Sequence, residues 1–186
     1  TTRTQKTKMK FNQKKEYMQD FINLNIVTPS KWLSDRVKLS FLKDKNLCVI
    51  HNGIDTTDIF YPRDVSHLTE KHNLKDKKVI LAVAPDIMDE RKGGDWILKL
   101  AERFDDSYRF IMIGLEEELK NPPKNIIAIG KPEDQVELAE YYSIADLLLL
   151  TSLKETFSLV TAESLACGTP VIGFDSGAPV EVAPSG

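Results

Sequence analysis

Polar and apolar residues follow different rhythms on either side of residue 78. From there onward short apolar runs recur at Val79–Ala84, Tyr108–Ile113, Asn125–Ile129, Asp146–Leu150 and Pro170–Phe174. Between them lie segments of helical spacing, about Lys92–Phe104, about Glu133–Ile144 and one ending at Cys167. Runs that are nearly continuously apolar belong to strands covered on both faces, as in a parallel sheet whose crossovers are helices. The pattern predicts an α/β domain built on a doubly wound parallel sheet. Gly168-Thr169-Pro170 fits that register, because Gly closes helices and Pro is tolerated where a strand opens. Past the fifth run the chain turns at Asp175-Ser176-Gly177-Ala178-Pro179, and no further helix is expected.

The first part of the chain is more polar. Residues 5–20 predict a Lys-rich helix, polar nearly all round apart from Met9, Phe11, Tyr17 and Met18. Ile22–Val27 reads as a strand, and Ser30 as the N-cap of a helix carrying Trp32, Leu33, Val37 and Phe41. A second short strand, Leu47–Ile50, stops at the turn signal His51-Asn52-Gly53. From there to about Lys78 the composition is polar and irregular around Pro62, as in a linker. The chain is accordingly divided into residues 1–75 and 76–186.

Composition narrows the class. With 41% hydrophobic and 28% charged residues the chain has the balance of a globular protein. No run reaches the roughly 18 apolar residues of a membrane span, and no signal-peptide core opens the sequence. Thr1-Thr2-Arg3 lacks an initiator Met, so the chain is expected to begin inside a longer protein. The net charge of −3 conceals +7 over residues 1–45 and −10 over the remainder. The basic segment lacks the interleaved aromatics of a nucleic-acid platform, which leaves a solvated helix face or, second, contact with anionic lipid. Cys48 and Cys167 match no metal or redox spacing and read as reduced core residues. No metal site is expected from His51, His67 and His72.

Ligands of open parallel sheets bind outside the carboxyl ends of the strands. That rule selects two loops, Asp86–Lys92 and Thr151–Ser158. The first ends in Arg91-Lys92-Gly93-Gly94 where a helix starts. Cations are disfavoured beside the positive end of a helix dipole, so the pair makes sense around a bound anion; pairing with Asp89 or Glu90 is the alternative. The second loop carries Glu155 and, inside the apolar helical segment Leu159–Cys167, Glu163. A carboxylate there is costly without hydrogen-bond donors, which sugar or ribose hydroxyls would supply. The alternatives are a capping box of Ser152 with Glu155, and a backbone N–H bonded to Glu163.

The segment from Glu155 through Glu163 to Gly168-Thr169-Pro170-Val171-Ile172 resembles the Glu-x7-Glu signature of the large family-four retaining glycosyltransferases. Further segments match in order: Val27-Thr28-Pro29-Ser30-Lys31-Trp32-Leu33, Val49-Ile50-His51-Asn52-Gly53-Ile54-Asp55 with Phe60 and Pro62, Arg91-Lys92-Gly93, and Tyr142 with Ala145-Asp146. The resemblance spans roughly Ile22 to Gly186. It implies the GT-B fold, two Rossmann-like domains facing each other. Residues 1–75 would then be the end of the first domain with the interdomain linker. Residues 76–186 would be the nucleotide-sugar-binding domain, truncated at its C-terminus.

The resemblance also implies roles. Glu163 would bind the ribose hydroxyls of the nucleotide, and Glu155, the catalytic candidate, would face the donor sugar. Backbone amides from Phe157, Ser158, Leu159 and Val160 would meet sugar and phosphate, and Lys92 with Arg91 would neutralise the diphosphate. Departure of a nucleoside diphosphate without a metal needs such charges and dipoles aimed at the developing negative charge. One departure stands out: the family's usual Gly-Arg after the domain's first strand is replaced here by Ala84-Pro85, so Arg91 would have to supply that arginine's role. The implied activity is transfer of a hexose from a UDP- or GDP-linked donor to a saccharide or lipid-linked acceptor, in polysaccharide or glycolipid biosynthesis. No cofactor, no nucleic-acid partner and a cytoplasmic location go with it, with peripheral contact at the inner membrane face. Since most of the first domain and a returning helix are missing, the chain alone is expected to bind donor without turnover. Two alternatives remain: a non-catalytic nucleotide-sugar-binding domain, and another GT-B enzyme such as a sugar-nucleotide epimerase.

Overall fold

The structure, a computed structural model, describes residues 3–183. The readings that rest on Thr1-Thr2 and on the end at Gly186 lie outside the described residues. The chain forms two compact units, 1–52 and 53–186.

In the first unit, α1 (Arg3–Gln19) is a 17-residue helix with almost every described side chain exposed. Phe11 packs edge-on against Phe41, with ring centroids 5.3 Å apart. Strands β1 (Asn25–Thr28) and β2 (Asn46–Val49) pair in parallel and are joined through α2 (Lys31–Lys38). Ser30 caps α2 as its position predicts, its hydroxyl accepting from the Leu33 amide at 3.1 Å. The expectation that both cysteines are core residues fails for Cys48, which is exposed. Side chains alternate across a strand, and half-buried Leu47 takes the covered face of β2, leaving Cys48 on the other.

The second unit holds a five-stranded, all-parallel sheet in the order β5-β4-β3-β6-β7. Its strands are β3 (Lys78–Val83), β4 (Tyr108–Ile113), β5 (Ile126–Ile129), β6 (Leu147–Leu150) and β7 (Val171–Gly173). The helices are α3 (Ser66–Lys71), α4 (Gly94–Ala101), α5 (Gln135–Ile144), α6 (Leu159–Ala166) and α7 (Pro179–Val182). The expected doubly wound parallel sheet is therefore present. Alternation along β3 and β4 splits the core into two layers. Val79, Leu81, Ile111 and Ile113 pack in one with Leu68 of α3, Tyr142 of α5 and Cys167. Ile80, Ala82, Phe110 and Met112 pack in the other with Ile97 and Ala101 of α4. Double coverage is why these strands read as continuous apolar runs. Gly114, at φ 95°, ends β4 where any Cβ would overlap the Ala84 carbonyl, so only glycine lets the loops after β3 and β4 lie this close.

Two further expectations are corrected. The stretch read as a linker packs into the second unit: α3 forms within it, and Phe60, Leu68 and Leu74 are buried in the core. Their wide spacing in a polar background hid three core positions. Beyond β7, where no helix was expected, Pro179–Val182 makes a single turn, with Pro at its permitted first position. No helix among the described residues is long and apolar enough to cross a membrane.

Phe60 is 2% exposed and stacks edge-on against Tyr142, ring centroids 6.3 Å apart. Phe60→Ala is expected to destabilise the protein by roughly 3–5 kcal/mol, read by urea unfolding. A loss below about 1 kcal/mol would return this stretch to linker status.

Candidate functional site

Strand β3 leads through α4 to β4 on one side of it in the sheet, whereas β6 leads through α6 to β7 on the other. The connections that leave the adjacent strands β3 and β6 therefore diverge, and a crevice opens beyond their carboxyl ends. Both loops singled out from the sequence flank it.

The loop after β3 is held by backbone bonds at both ends: Ile87 N–H donates to the Gly114 carbonyl at 2.9 Å and Gly94 N–H to the Ile87 carbonyl at 3.1 Å. Gly93 precedes α4 at φ 76°, and a Cβ there would come within 2.7 Å of the Thr151 carbonyl oxygen. That contact presses the loop against the end of β6, a fit that glycine alone allows. The Thr151 hydroxyl donates to the Lys92 carbonyl at 2.7 Å, and Leu153 N–H to the Arg91 carbonyl at 2.9 Å. One side-chain and one backbone bond thus lace the two loops together. Their side chains then meet: Lys92 Nζ lies 2.6 Å from Glu155 Oε1, with only 29% and 14% of the side chains exposed.

Glu155 is pinned by a third loop, the one after β7. Its N–H donates to the Ser176 carbonyl at 2.9 Å, and its carbonyl accepts from Ala178 N–H at 3.2 Å. Residues 152–155 form no helix, so the capping box of Ser152 with Glu155 does not exist. The helix starts later, after Ser158, which stands at φ 79° and ψ 77°. A left-handed Ser costs roughly 1–2 kcal/mol and is retained here beside a 2.8 Å bond between its hydroxyl and that of Thr161. Phe157 and Ser158 are buried in this turn, 7% and 5% exposed. Leu159 and Val160 open α6, whose dipole is positive at this end, while the Thr161 and Ala162 N–H groups donate to the Ser158 carbonyl.

Glu163 lies one turn further along α6, 8% exposed. Its partner is a side chain, not the backbone N–H weighed from the sequence: the Tyr142 hydroxyl donates to Oε2 at 2.8 Å. Burial raises the Glu163 carboxyl above its ordinary pKa, against the opposing effect of the Tyr142 hydrogen bond. Burial and then the charge of Glu163 push the Tyr142 phenol well above its ordinary range, so it stays a neutral donor.

The fold brings Lys92, Glu155, the 157–160 turn and Glu163 to one edge. Arg91 is placed differently. Its guanidinium makes two bonds to Asp89, 2.9 and 2.6 Å, and its side chain is 81% exposed. Tyr142 and Thr151, not singled out as partners of these residues from the sequence, hold Glu163 and Lys92 through their hydroxyls. A buried carboxylate demands a donor, and that demand was the signal pointing to the apolar-face hydroxyl on the preceding helix. Among the described residues, no group of three or more His, Cys, Asp or Glu side chains converges as a metal site would.

The model of the family described as "Glycosyl transferases group 1" matches residues 65–186. D-inositol 3-phosphate glycosyltransferase of Mycobacterium sp. strain JLS is 29% identical over 147 residues, covering 72% of this chain and 33% of that protein. N-acetyl-alpha-D-glucosaminyl L-malate synthase of Bacillus anthracis is 26% identical over 149 residues, covering 75% and 38%. The chain thus spans about a third of the length of the curated relatives it matches. Among solved structures, Anabaena HepE in complex with UDP and glucose superimposes with TM-score 0.73 at 16% identity, covering 95% of this chain and 51% of that one. Sucrose-phosphate synthase of Thermosynechococcus elongatus gives TM-score 0.74 at 22% identity, covering 91% and 45%. At those identities the structures establish a shared fold.

The buried carboxylate makes a prediction about stability. A carboxyl whose folded pKa is raised favours the folded state at low pH, and that contribution is lost as pH rises through the folded pKa. Glu163→Gln should therefore raise the melting temperature at pH 8, with the gain shrinking toward zero as pH falls below the ordinary Glu range. A gain that is the same at both pH values, or a loss at pH 8, would contradict the assignment.

Proposed function

The chain belongs to the glycosyl transferases group 1 family, and from that premise we propose that the unit from Gly53 onward holds the nucleoside diphosphate of an activated hexose for transfer to a saccharide or lipid-linked acceptor. The observation that carries this reading is the meeting of Lys92 and Glu155, 2.6 Å apart, across the two loops that flank the switch point. A cation held there by a carboxylate is already in place for an anion. A diphosphate entering the crevice replaces Glu155 as the partner of Lys92 and lies against the start of α6, where the helix dipole favours negative charge. Amides of Phe157, Ser158, Leu159 and Val160 line this approach. Arg91 reaches the same anion only by giving up Asp89, so Lys92 carries more of the task.

In this reading Glu163 accepts from the ribose hydroxyls and Glu155, released from Lys92, faces the donor sugar. The leaving diphosphate gains negative charge in the transition state, and Lys92 with the α6 dipole stabilises it without reorganising. Transfer proceeds with retention of configuration. A UDP-linked donor is the first candidate, supported by a neighbour of the same fold solved with UDP-glucose; GDP is the second. The residues before Gly53 would belong to the acceptor-side domain. The reading extends to polysaccharide or glycolipid assembly in the cytoplasm, with the basic segment against the inner membrane face.

Calorimetric titration of the 186-residue chain with UDP, GDP and ADP tests the site. One nucleotide should bind saturably. Lys92→Ala and Glu163→Ala should each weaken it by roughly 10- to 100-fold, the worth of a hydrogen bond to a charged group. Arg91→Ala should weaken it by no more than about threefold, the worth of an exposed ion pair. Binding indifferent to both Lys92 and Glu163 would refute the assignment.

A further inference from the structure

Tyr142 has an environment that a core aromatic does not need. It is 0% exposed, and three of its parts are separately held. The ring packs edge-on against Phe60. The backbone carbonyl accepts the Thr169 hydroxyl at 2.6 Å and Ala145 N–H at 3.2 Å. The hydroxyl donates to Glu163 Oε2 at 2.8 Å. Thr169 in turn is 3% exposed and sits just before β7, so the position of the phenol oxygen is set by α5, by the loop into β7 and by the stretch around Phe60.

We propose that Tyr142 is a positioning residue for nucleotide recognition, its fixed hydroxyl holding the Glu163 carboxylate in the one orientation that accepts both hydroxyls of a ribose. The proposal rests on the reading of Glu163 as the ribose acceptor. Glu has three side-chain torsions and loses substantial rotamer freedom when held, so a carboxylate anchored before the ligand arrives binds with less to order. A phenol suits the task better than a cation. A carboxylate offers about four lone-pair sites, of which one neutral donor occupies one. The phenol adds no charge of its own, so ribose bonds to the carboxylate are charge-assisted. A Lys or Arg at the same point would neutralise it.

A merely structural role predicts that losing the hydroxyl weakens every ligand alike or none. A positioning role predicts a selective loss. The test compares the 186-residue chain with Tyr142→Phe, which keeps the ring, the Phe60 contact and both carbonyl bonds. Each is titrated with UDP, GDP and ADP and with their 2′,3′-dideoxy forms. The wild type should prefer the ribose form of its nucleotide by at least about tenfold; in Tyr142→Phe the affinity for that form should fall about tenfold while the dideoxy form binds within about twofold of wild type. An unchanged ribose-to-dideoxy ratio in the variant overturns the proposal and leaves the site reading standing. Absence of any ribose preference in the wild type, or of any binding, overturns the site reading together with the proposal. A second measurement needs no variant: with tyrosine labelled at 13Cζ, the Tyr142 resonance should move on adding the ribose nucleotide and stay still with the dideoxy form. No response to the ribose form contradicts the proposal.

Discussion

Strands β3 and β6 lie side by side, yet the chain leaves them in opposite directions, toward β4 and toward β7. Everything at the candidate site depends on that divergence. Two neighbouring strands deliver their loops to one edge of the sheet. Gly93 against the Thr151 carbonyl and the Thr151 hydroxyl on the Lys92 carbonyl then fix how close the loops come. With the backbones locked, the Lys92 and Glu155 side chains have little choice but to meet. The start of α6 falls at the same edge because a helix that follows a strand begins where the strand ends.

The two carboxylates of the site are handled by opposite chemistry. Glu155 is answered by a cation, so its charge is compensated until something more anionic competes for Lys92. Glu163 is answered by a neutral phenol that brings no opposite charge, and burial raises its carboxyl above the ordinary range. A sequence selected for stability alone would replace such a group by an amide or an apolar residue. The left-handed Ser158 stands at the head of the same helix, so both costs fall within two turns of the proposed site.

Much of this was legible from the chain. The strands Val79–Ala84 and Tyr108–Ile113 stood out because both faces are covered, so nearly every residue is apolar. The loops that bear Lys92 and Glu155 followed from the rule for parallel sheets, and Glu163 from its apolar helix. What stayed hidden was set by contacts distant in sequence. Phe60, Leu68 and Leu74 are isolated apolar residues in a polar stretch, and only packing against Tyr142 and its neighbours makes them core. Cys48 looks buried by its neighbours, but alternation puts it on the open face of a two-stranded sheet. Arg91 takes the local partner weighed from the sequence, Asp89, whereas only the fold brings Lys92 to Glu155, 63 residues away. The bond from Tyr142 to Glu163 joins two helices 21 residues apart in sequence, beyond the reach of any local pattern.

The central claim is one of place, that the nucleotide lies in the crevice between the loops after β3 and β6. Amide chemical-shift mapping tests this most directly, with the 15N-labelled chain titrated with UDP, GDP and ADP. The account predicts that the nucleotide that binds perturbs Lys92, Gly93, Gly94, the 157–160 turn and Glu163. It predicts little change at the opposite end of the sheet, where Ala101, Phe104, Pro123 and Asn125 line a separate hollow. Perturbations centred on that hollow, or spread evenly with none at the start of α6, would contradict it.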